Sequence, residues 1–355
     1  MKKIKPFLKR YGNFIFLFVL IIITFSIIAT QINFKDFLDT MHKTNLWYIG
    51  LCLLCVLIYW LFEAYILLKL MRRDHPDEKF SFAMLITIIG QYYNLVTPGA
   101  SGGQPLQLFE MNKKDYSIGT GTAVLVQKYA FYQISVTFLA LIAIILEHSV
   151  VFSSSIATKW LVLTGFLVNL LGVIFVIILA FNQKMAKTII NIIVQFLYFV
   201  HIVKKKEAAL NKVDKFINEY SIAIQAIKEH KDETKQLMII SIIQIIIFYS
   251  INYWIYRALG MTDYSAFYII TMQAILYISM SFVPTPGGAG GAEAGFALIF
   301  GPIYGSVNTS VGLIIWRFIT FYFIIAFGGI FLSGRELLIG NMKIQKSGSE
   351  RFKYK

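Results

Sequence analysis

Long apolar runs are the feature that most limits what this chain can fold into. A helix that spans a bilayer needs about 20 mostly apolar residues, and six runs meet that requirement. The 355-residue chain is 57% hydrophobic and only 15% charged, which is far from the composition of an ordinary soluble enzyme. The sequence therefore predicts an all-α polytopic membrane protein. The six predicted spans cover residues 14–30, 47–68, 118–146, 160–181, 237–259 and 307–332.

Two further apolar stretches, residues 80–112 and 264–305, are interrupted by clusters of proline and glycine. The clusters read TPGASGGQP in the first stretch and PTPGGAGG in the second. Irregular backbone at membrane depth is tolerated only where protein buries it or where it lines a wet cavity. These interrupted segments are therefore the natural place for a substrate site.

The positions of the basic residues choose between two topologies. If each interrupted segment crossed the membrane once, Lys113, Lys114 and the lysine-rich region 184–235 would face outside. If each segment enters and returns on the same side, every basic cluster faces the cytoplasm, as the positive-inside rule requires. The sequence therefore predicts two re-entrant hairpins that open to opposite sides, with both termini in the cytoplasm. The same rule explains the net charge of +14 without a nucleic-acid partner.

The region between the two halves is predicted to stay on the cytoplasmic side. Residues 188–203 are apolar enough for a thin crossing, but lysines flank both ends, so an interfacial helix suits them better. The predicted parts are a single transmembrane domain, 1–335, made of repeats at about 10–181 and 237–333 around a cytoplasmic or interfacial segment, 182–236, and a basic tail, 336–355.

An internal repeat carries the functional signal. The segments Thr97–Gly103 and Thr285–Gly291 match at five of seven positions, 188 residues apart. Lys128 lies 31 residues after the start of the first motif, and Arg317 lies 32 residues after the start of the second. Each half thus has a broken segment followed by a cation inside the next span. With the opposed orientations, this pattern indicates inverted repeats.

Physical chemistry suggests what these parts bind. Proline and glycine end the helices, and free backbone N–H groups at a helix end favour anions. A cation inside a span needs a partner, and a phosphate could serve both cations. The alternative is a structural ion pair, Arg317 with Glu293 or Lys128 with Glu63. Glu293 could also contact a cationic head group. The predicted head-group site comprises Thr97, Pro98, Gly99, Gly102, Gly103, Lys128, Thr285, Pro286, Gly287, Gly290, Gly291, Glu293 and Arg317.

Other candidate residues favour packing over chemistry. Cys52 and Cys55 lie inside an apolar run, where packing is the expected role. Glu110 could contact a head group or balance the neighbouring Lys113 and Lys114. The five histidines lack metal-ligand spacing, and no serine or cysteine lies in a nucleophile motif. No catalytic residue, metal or cofactor is predicted.

The two motifs resemble a known family. NLVTPGASGGQPLQLFEMNKKD and VPTPGGAGGAEAGF are similar to the lysylphosphatidylglycerol synthase transmembrane family, the flippase-like domain of the bacterial multiple peptide resistance factor. The resemblance covers roughly residues 10–335. It implies a multi-pass protein of a bacterial cell membrane that moves an anionic or aminoacylated phospholipid, such as lysyl-phosphatidylglycerol, between leaflets. That movement would contribute to resistance to cationic antimicrobial peptides.

The resemblance leaves other functions open. Full-length members of that family add a C-terminal lysyltransferase domain, and only about 20 residues follow the last predicted span here. The chain is therefore not expected to be catalytic alone. The alternatives are a phosphatidylglycerol lysyltransferase, or its membrane subunit acting with a separate lysyltransferase chain, and a transporter of another small anion. A homodimer is a further expectation.

Overall fold

The computed structural model describes residues 34–199, 213, 217–221, 224–225, 229–281 and 283–335. Every regular element in that part of the chain is helical, which confirms the predicted all-α polytopic membrane fold. The predicted first span and the basic tail lie outside the described residues. The helices are α1 (Phe34–Lys43), α2 (Leu46–Met71), α3 (Phe80–Val96), α4 (Gly103–Asn112), α5 (Ile118–Leu146), α6 (His148–Ser153), α7 (Ile156–Phe181), α8 (Gln183–Phe199), α9 (Lys231–Ala258), α10 (Ala266–Met280), α11 (Gly291–Tyr304) and α12 (Ser306–Arg317), which continues through a π-helical turn (Phe318–Tyr322) to Arg335.

Five of the described helices are long and apolar enough to cross a membrane. They are α2, α5, most of α7, α9, and α12 with its continuation, and they coincide with five of the six predicted spans. Helices α2 and α9 pack extensively along each other. Cys52 and Cys55 are buried in this contact, and the Cys55 Sγ lies 3.6 Å from the Ser250 Oγ. Both cysteines therefore have the packing role expected of them.

The first interrupted stretch, residues 80–112, forms a hairpin of two short helices, called hairpin 1 below. Helix α3 stops at Val96, because Pro98 lacks an amide hydrogen and favours an extended Thr97. Helix α4 then packs back along α3. The arms have 17 and 10 residues, and at 1.5 Å per residue they are about 25 and 15 Å long. Neither arm reaches across the roughly 30 Å apolar core of a bilayer.

Both ends of hairpin 1 lie on the same side of the molecule. Glu78, just before α3, accepts hydrogen bonds from Lys114 and from the Tyr116 hydroxyl (2.9 Å), which both follow α4. On this side Arg73, after α2, also pairs with Glu233, in the first turn of α9, at 3.0 Å. The chain therefore returns to the side from which it entered, as the re-entrant prediction requires.

The second interrupted stretch forms hairpin 2, made of α10, a turn at Pro286 and α11. Its two ends meet at the other end of α9. The Tyr264 amide, before α10, donates to the Tyr256 hydroxyl at 3.1 Å, and the ring of Tyr304, at the end of α11, lies 5.6 Å from that of Tyr256. Because α9 begins beside the base of hairpin 1 and ends beside the base of hairpin 2, the two hairpins open in opposite directions. By the positive-inside rule, the hairpin 1 side is predicted to face the cytoplasm.

The segment between the two halves contains α8, a helix of 17 residues that follows α7. The described positions beyond it pack on the body of the molecule, where Tyr220 and Ile224 bury Ala123 of α5. The described residues of this segment are largely helical. Its interfacial placement stays a prediction.

Candidate functional site

The turns of the two hairpins have the same backbone over their first residues. Thr97 and Thr285 are extended, and each is followed by a proline that begins a short 3-10 turn. Gly99 and Gly287 then have φ values of 59° and 58°, in the left-handed region that glycine adopts at little cost. The sequence match between the motifs therefore reflects a shared backbone conformation.

The turns diverge at their last residues. Ser101 and Gly102 stay in the right-handed helical region and lead directly into α4. In hairpin 2, Ala289 is extended and Gly290 has a φ of 87°, so the chain reverses more sharply before α11. The two helices that leave the turns therefore start from different local geometry, despite the repeat.

The first amides of α4 are already bonded within hairpin 1. The Gly102 amide donates to the Thr97 Oγ1 at 2.8 Å, and the Gly103 amide donates to the Asn94 Oδ1 at 3.1 Å. The Thr97 hydroxyl in turn donates to the Tyr93 carbonyl at 2.6 Å. The sequence predicts free amides at this helix end, but at these two positions the amides are already hydrogen-bonded. A head group would have to displace the two side chains to reach them.

Arg317 links the turn of hairpin 2 to the last span. Its Nε donates to the Glu293 Oε1 at 2.8 Å, and its Nη1 donates to the Gly287 carbonyl at 3.0 Å. The other oxygen of Glu293 accepts the Gly290 amide at 2.6 Å. Arg317 and Glu293 are 4% and 5% exposed, so the pair is inside the protein. The structure therefore contains the ion pair that the sequence raised as the alternative to a phosphate contact.

One nitrogen of the Arg317 guanidinium is not used by these contacts. The Nη2 atom is buried and has no hydrogen-bond partner among the described residues. The guanidinium carbon lies 5.3 Å from the Trp316 ring centroid and 5.5 Å from that of Phe321, in the π-helical turn. Because an unpaired buried donor is costly, this atom is the one in the pair best placed to gain from a further acceptor.

Gly287 is required where the turn meets the last span. A Cβ atom built at Gly287 would lie 2.0 Å from the Phe321 ring. The residue is thus constrained twice, by its positive φ and by the close approach of the aromatic ring. This contact brings the Gly287 carbonyl within reach of Arg317.

Lys128 also pairs with a carboxylate. Its Nζ donates to the Glu63 Oε1 at 2.5 Å, and the Gln91 amide of α3 donates to the Glu63 Oε2 at 2.5 Å. The Lys128 and Glu63 side chains are 14% and 5% exposed. Glu63 thus joins three helices: its own α2, hairpin 1 through Gln91, and α5 through Lys128. Buried polar contacts of this kind fix the relative positions of the helices they join.

The turns of the two hairpins contact each other, and α3 also contacts the turn of hairpin 2. A small apolar cluster surrounds this meeting point, with Tyr92 of hairpin 1 packed against Phe321 and Ile325 of the last span and Ala289 beside them. Pro98, Gly99 and Thr285 are exposed within the described structure. The meeting point therefore presents accessible backbone next to buried, charge-balanced pairs.

Comparison with known proteins identifies the family. The sequence model of the family described as "Lysylphosphatidylglycerol synthase TM region" matches residues 14–328, most of the chain. The chain belongs to this family. The resemblance that the two motifs suggested is thereby confirmed, and the protein is a multi-pass membrane protein of a lipid-related family.

Two relatives are similar over most of their lengths. A UPF0104 membrane protein of Archaeoglobus fulgidus is 22% identical over 277 residues, which cover 71% of this chain and 75% of the relative. An uncharacterized protein of Mycoplasma genitalium is 21% identical over 266 residues, which cover 70% of this chain and 67% of the relative.

The structure brings together most of the residues predicted for this family member's site. The two motifs meet at their turns, Arg317 binds the Gly287 carbonyl, and Glu293 binds both Arg317 and the Gly290 amide. Glu63, Gln91 and Asn94 were not among the predicted site residues. The only sequence signal for Glu63 was its possible pairing with Lys128. Lipid contact by any of these residues stays a prediction.

Glu110 balances neighbouring cations at the base of hairpin 1. It pairs with Lys113 at 2.9 Å and with Arg335, at the end of the last span. This was one of the two roles expected of it. Among the described residues no group of three His, Cys, Asp or Glu side chains could hold a metal ion.

Proposed function

We propose that this protein moves a phospholipid with an anionic or aminoacylated head group, such as lysyl-phosphatidylglycerol, between the leaflets of a bacterial cell membrane. One observation carries the proposal: the Pro-Gly turns of two oppositely oriented hairpins contact each other beside buried charges. In this role the protein contributes to resistance to cationic antimicrobial peptides, because an aminoacylated lipid lowers the negative charge of the outer surface.

The arrangement of broken helices supports a polar path through the membrane. Non-helical backbone is stable at membrane depth only in protein or beside water, and the turns provide such backbone from both directions. A head group could pass along this path while its acyl chains remain in lipid. The family is described by a phospholipid-synthesising enzyme, which supports a phospholipid as the transported substrate.

The two ion pairs suggest how a head group is held. Each pair consists of one cation and one carboxylate, so the four charged side chains have no net formal charge together. A phosphate would take the place of the carboxylate on Arg317 or Lys128, and the unpaired Nη2 of Arg317 offers it an additional donor. The ammonium of an aminoacylated head group could then pair with the carboxylate that the phosphate has displaced, Glu293 or Glu63. A separate lysyltransferase chain would supply that lipid.

The test is lipid movement by purified protein in vesicles. Lysyl-phosphatidylglycerol or phosphatidylglycerol would be placed in one leaflet, and its arrival in the other followed with a membrane-impermeant reagent. We expect faster movement than in protein-free vesicles, and little acceleration for phosphatidylcholine, which has no primary amine and no net charge. No acceleration for any of these lipids would overturn the proposal.

A pair of variants tests the role of Arg317. Arg317→Gln alone leaves Glu293 as an uncompensated buried charge, which costs about 3–5 kcal/mol. The double variant Arg317→Gln/Glu293→Gln removes both charges and is expected to fold, yet to move lipid at least about tenfold more slowly, which corresponds to about 1.4 kcal/mol. Arg257→Gln, at the end of α9, is the control. A double variant as fast as the wild type would remove Arg317 from the site.

A further inference from the structure

Hairpin 1 meets the last span along a seam that separates the two repeats. Hairpin 1 belongs to the first repeat, and the last span, Ser306–Arg335, belongs to the second. Near the turns, Tyr92 of hairpin 1 packs against Phe321 and Ile325. At the base of hairpin 1, Arg335 pairs with Glu110. The seam therefore runs from the meeting point of the turns to the end of the described part of the last span.

Two consecutive glycines of the last span lie against Tyr92 in this seam. A Cβ atom built at Gly328 would lie 3.0 Å from the Tyr92 Cβ, and one built at Gly329 would lie 3.5 Å from the Tyr92 ring. The Tyr92 side chain thus fills the space that the last span leaves open at these two positions. Movement of this one side chain away from the last span would leave a gap lined by glycine backbone, close to the turns.

Apolar side chains border the seam. Ile330, which directly follows Gly329, is 76% exposed, and Phe109, which directly precedes Glu110, is 59% exposed. Exposed apolar side chains of this kind are compatible with acyl chains in a membrane. A lipid whose head group moves past the turns while its chains stay in the bilayer needs a path that is open to lipid along one side. The seam reaches the turns and is bordered by such side chains, so it meets this requirement.

Glu110 binds two cations, and only one of these contacts crosses the seam. The Lys113 Nζ donates to the Glu110 Oε2 at 2.9 Å from the same hairpin, whereas Arg335 donates to the Glu110 Oε1 from the other repeat. The Glu110 side chain is 9% exposed and that of Arg335 is 34% exposed. An ion pair with a partly exposed partner is weak. The contact across the seam therefore opens at a small cost in free energy.

We propose that the seam between hairpin 1 and the last span is the lateral opening through which a phospholipid head group enters the path beside the turns, and that the Glu110–Arg335 pair closes it at the base. This inference rests on the proposed function. Separation of the pair lets Tyr92 withdraw from Gly328 and Gly329, which opens a slot next to the turns. The head group enters the slot, and the acyl chains extend through it into the bilayer.

Cross-linking across the seam tests this inference. The full-length variant Glu110→Cys/Arg335→Cys, in a Cys52→Ala/Cys55→Ala background, is placed in vesicles with lysyl-phosphatidylglycerol and treated with a short bifunctional maleimide. We expect cross-linking to slow lipid movement to the rate of protein-free vesicles, whereas the untreated sample keeps its rate. Glu110→Cys/Lys113→Cys is the matched control. It also lacks Glu110 and receives the same cross-link, but within hairpin 1, so its rate should not change.

The outcomes separate this inference from the proposed function. Undiminished lipid movement after cross-linking of positions 110 and 335 overturns the inference and leaves lipid movement by the protein standing. An equal loss in the control overturns it too, because the loss would not depend on joining the repeats. If the first variant does not fold, Lys113→Cys/Arg335→Cys replaces it, since both native side chains contact Glu110 and this pair also spans the seam. Absence of lipid movement by the untreated wild type refutes the proposed function itself.

Discussion

A charged side chain inside a membrane span needs a partner, because its transfer from water costs about 2.5–3.5 kcal/mol even on lenient scales. Arg317 and Lys128 meet this need with Glu293 and Glu63. Both ion pairs were predicted from the sequence as the alternative to phosphate binding. The structure contains those pairs. Under the proposed function, they are the groups that a head group carrying both charges would displace.

Glu78, at the base of hairpin 1, gives a pH-dependent prediction. Burial alone would raise the pKa of Glu78, but hydrogen bonds from Lys114, the Lys79 amide (2.8 Å) and Tyr116 outweigh it and hold the pKa below its usual value. A lowered pKa means that the carboxylate stabilises the fold above its unfolded pKa of about 4.3, and that this contribution is lost as the pH falls through the folded value.

Glu78→Gln is therefore expected to reduce stability at neutral pH by about 1–2 kcal/mol. The deficit should shrink as the pH falls below about 4, where the wild type loses the same interaction. Thermal unfolding in detergent at a series of pH values checks this, with the exposed neighbour Asp77→Asn as the control. A deficit that stays constant with pH would contradict the assignment.

The turn is the smallest element that the repeat preserves, and at one of its positive-φ positions the first copy has an alanine where the second has a glycine. Ala100 has a φ of 53°, where the equivalent Gly288 has a φ of 64°. An alanine in this region is strained by about 1–2 kcal/mol. A Cβ at Gly288 would meet nothing within 4 Å, so backbone strain alone decides the effect of substitution there.

Two reciprocal substitutions test this element. Ala100→Gly should stabilise the protein slightly, by less than about 1 kcal/mol, because relief of strain is partly offset by the greater entropy of the unfolded chain. Gly288→Ala should destabilise it by about 1 kcal/mol. Unfolding midpoints in detergent measure both. Equal effects of the same sign would show that the turns do not share this conformation.

The sequence patterns that predicted each element show what could be known in advance. Apolar length found five described spans, and the two Pro-Gly clusters found both hairpins, since these signals are local. The π-helical turn after Arg317 left no such signal, and neither did the Thr97 and Asn94 bonds that occupy the amides of α4. The two bonds are local in sequence, but they depend on the exact geometry of the turn, which apolar length and the Pro-Gly pattern do not specify. The hydrogen bond between Glu63 and Gln91 also left no sequence signal, because it joins residues on two different helices.

The whole molecule is organised by two hairpins that enter from opposite ends of α9. The repeats are also joined at the base of hairpin 1, where Glu110 pairs with Arg335 at the end of the last span. Because the turns are also in contact, a movement that separates the two repeats must rearrange a contact between them. Such rocking of one repeat against another is the general basis of alternating access.

Cysteine labelling from one side of the membrane tests the opposed hairpins most directly. In a Cys52→Ala/Cys55→Ala background, Lys113→Cys marks the base of hairpin 1 and Asp263→Cys marks the base of hairpin 2; both native residues are exposed. In intact cells a membrane-impermeant maleimide should label the cysteine at 263 and should label the one at 113 only after the membrane is opened. Labelling of both from the same side would contradict the inverted arrangement on which the proposed lipid path depends.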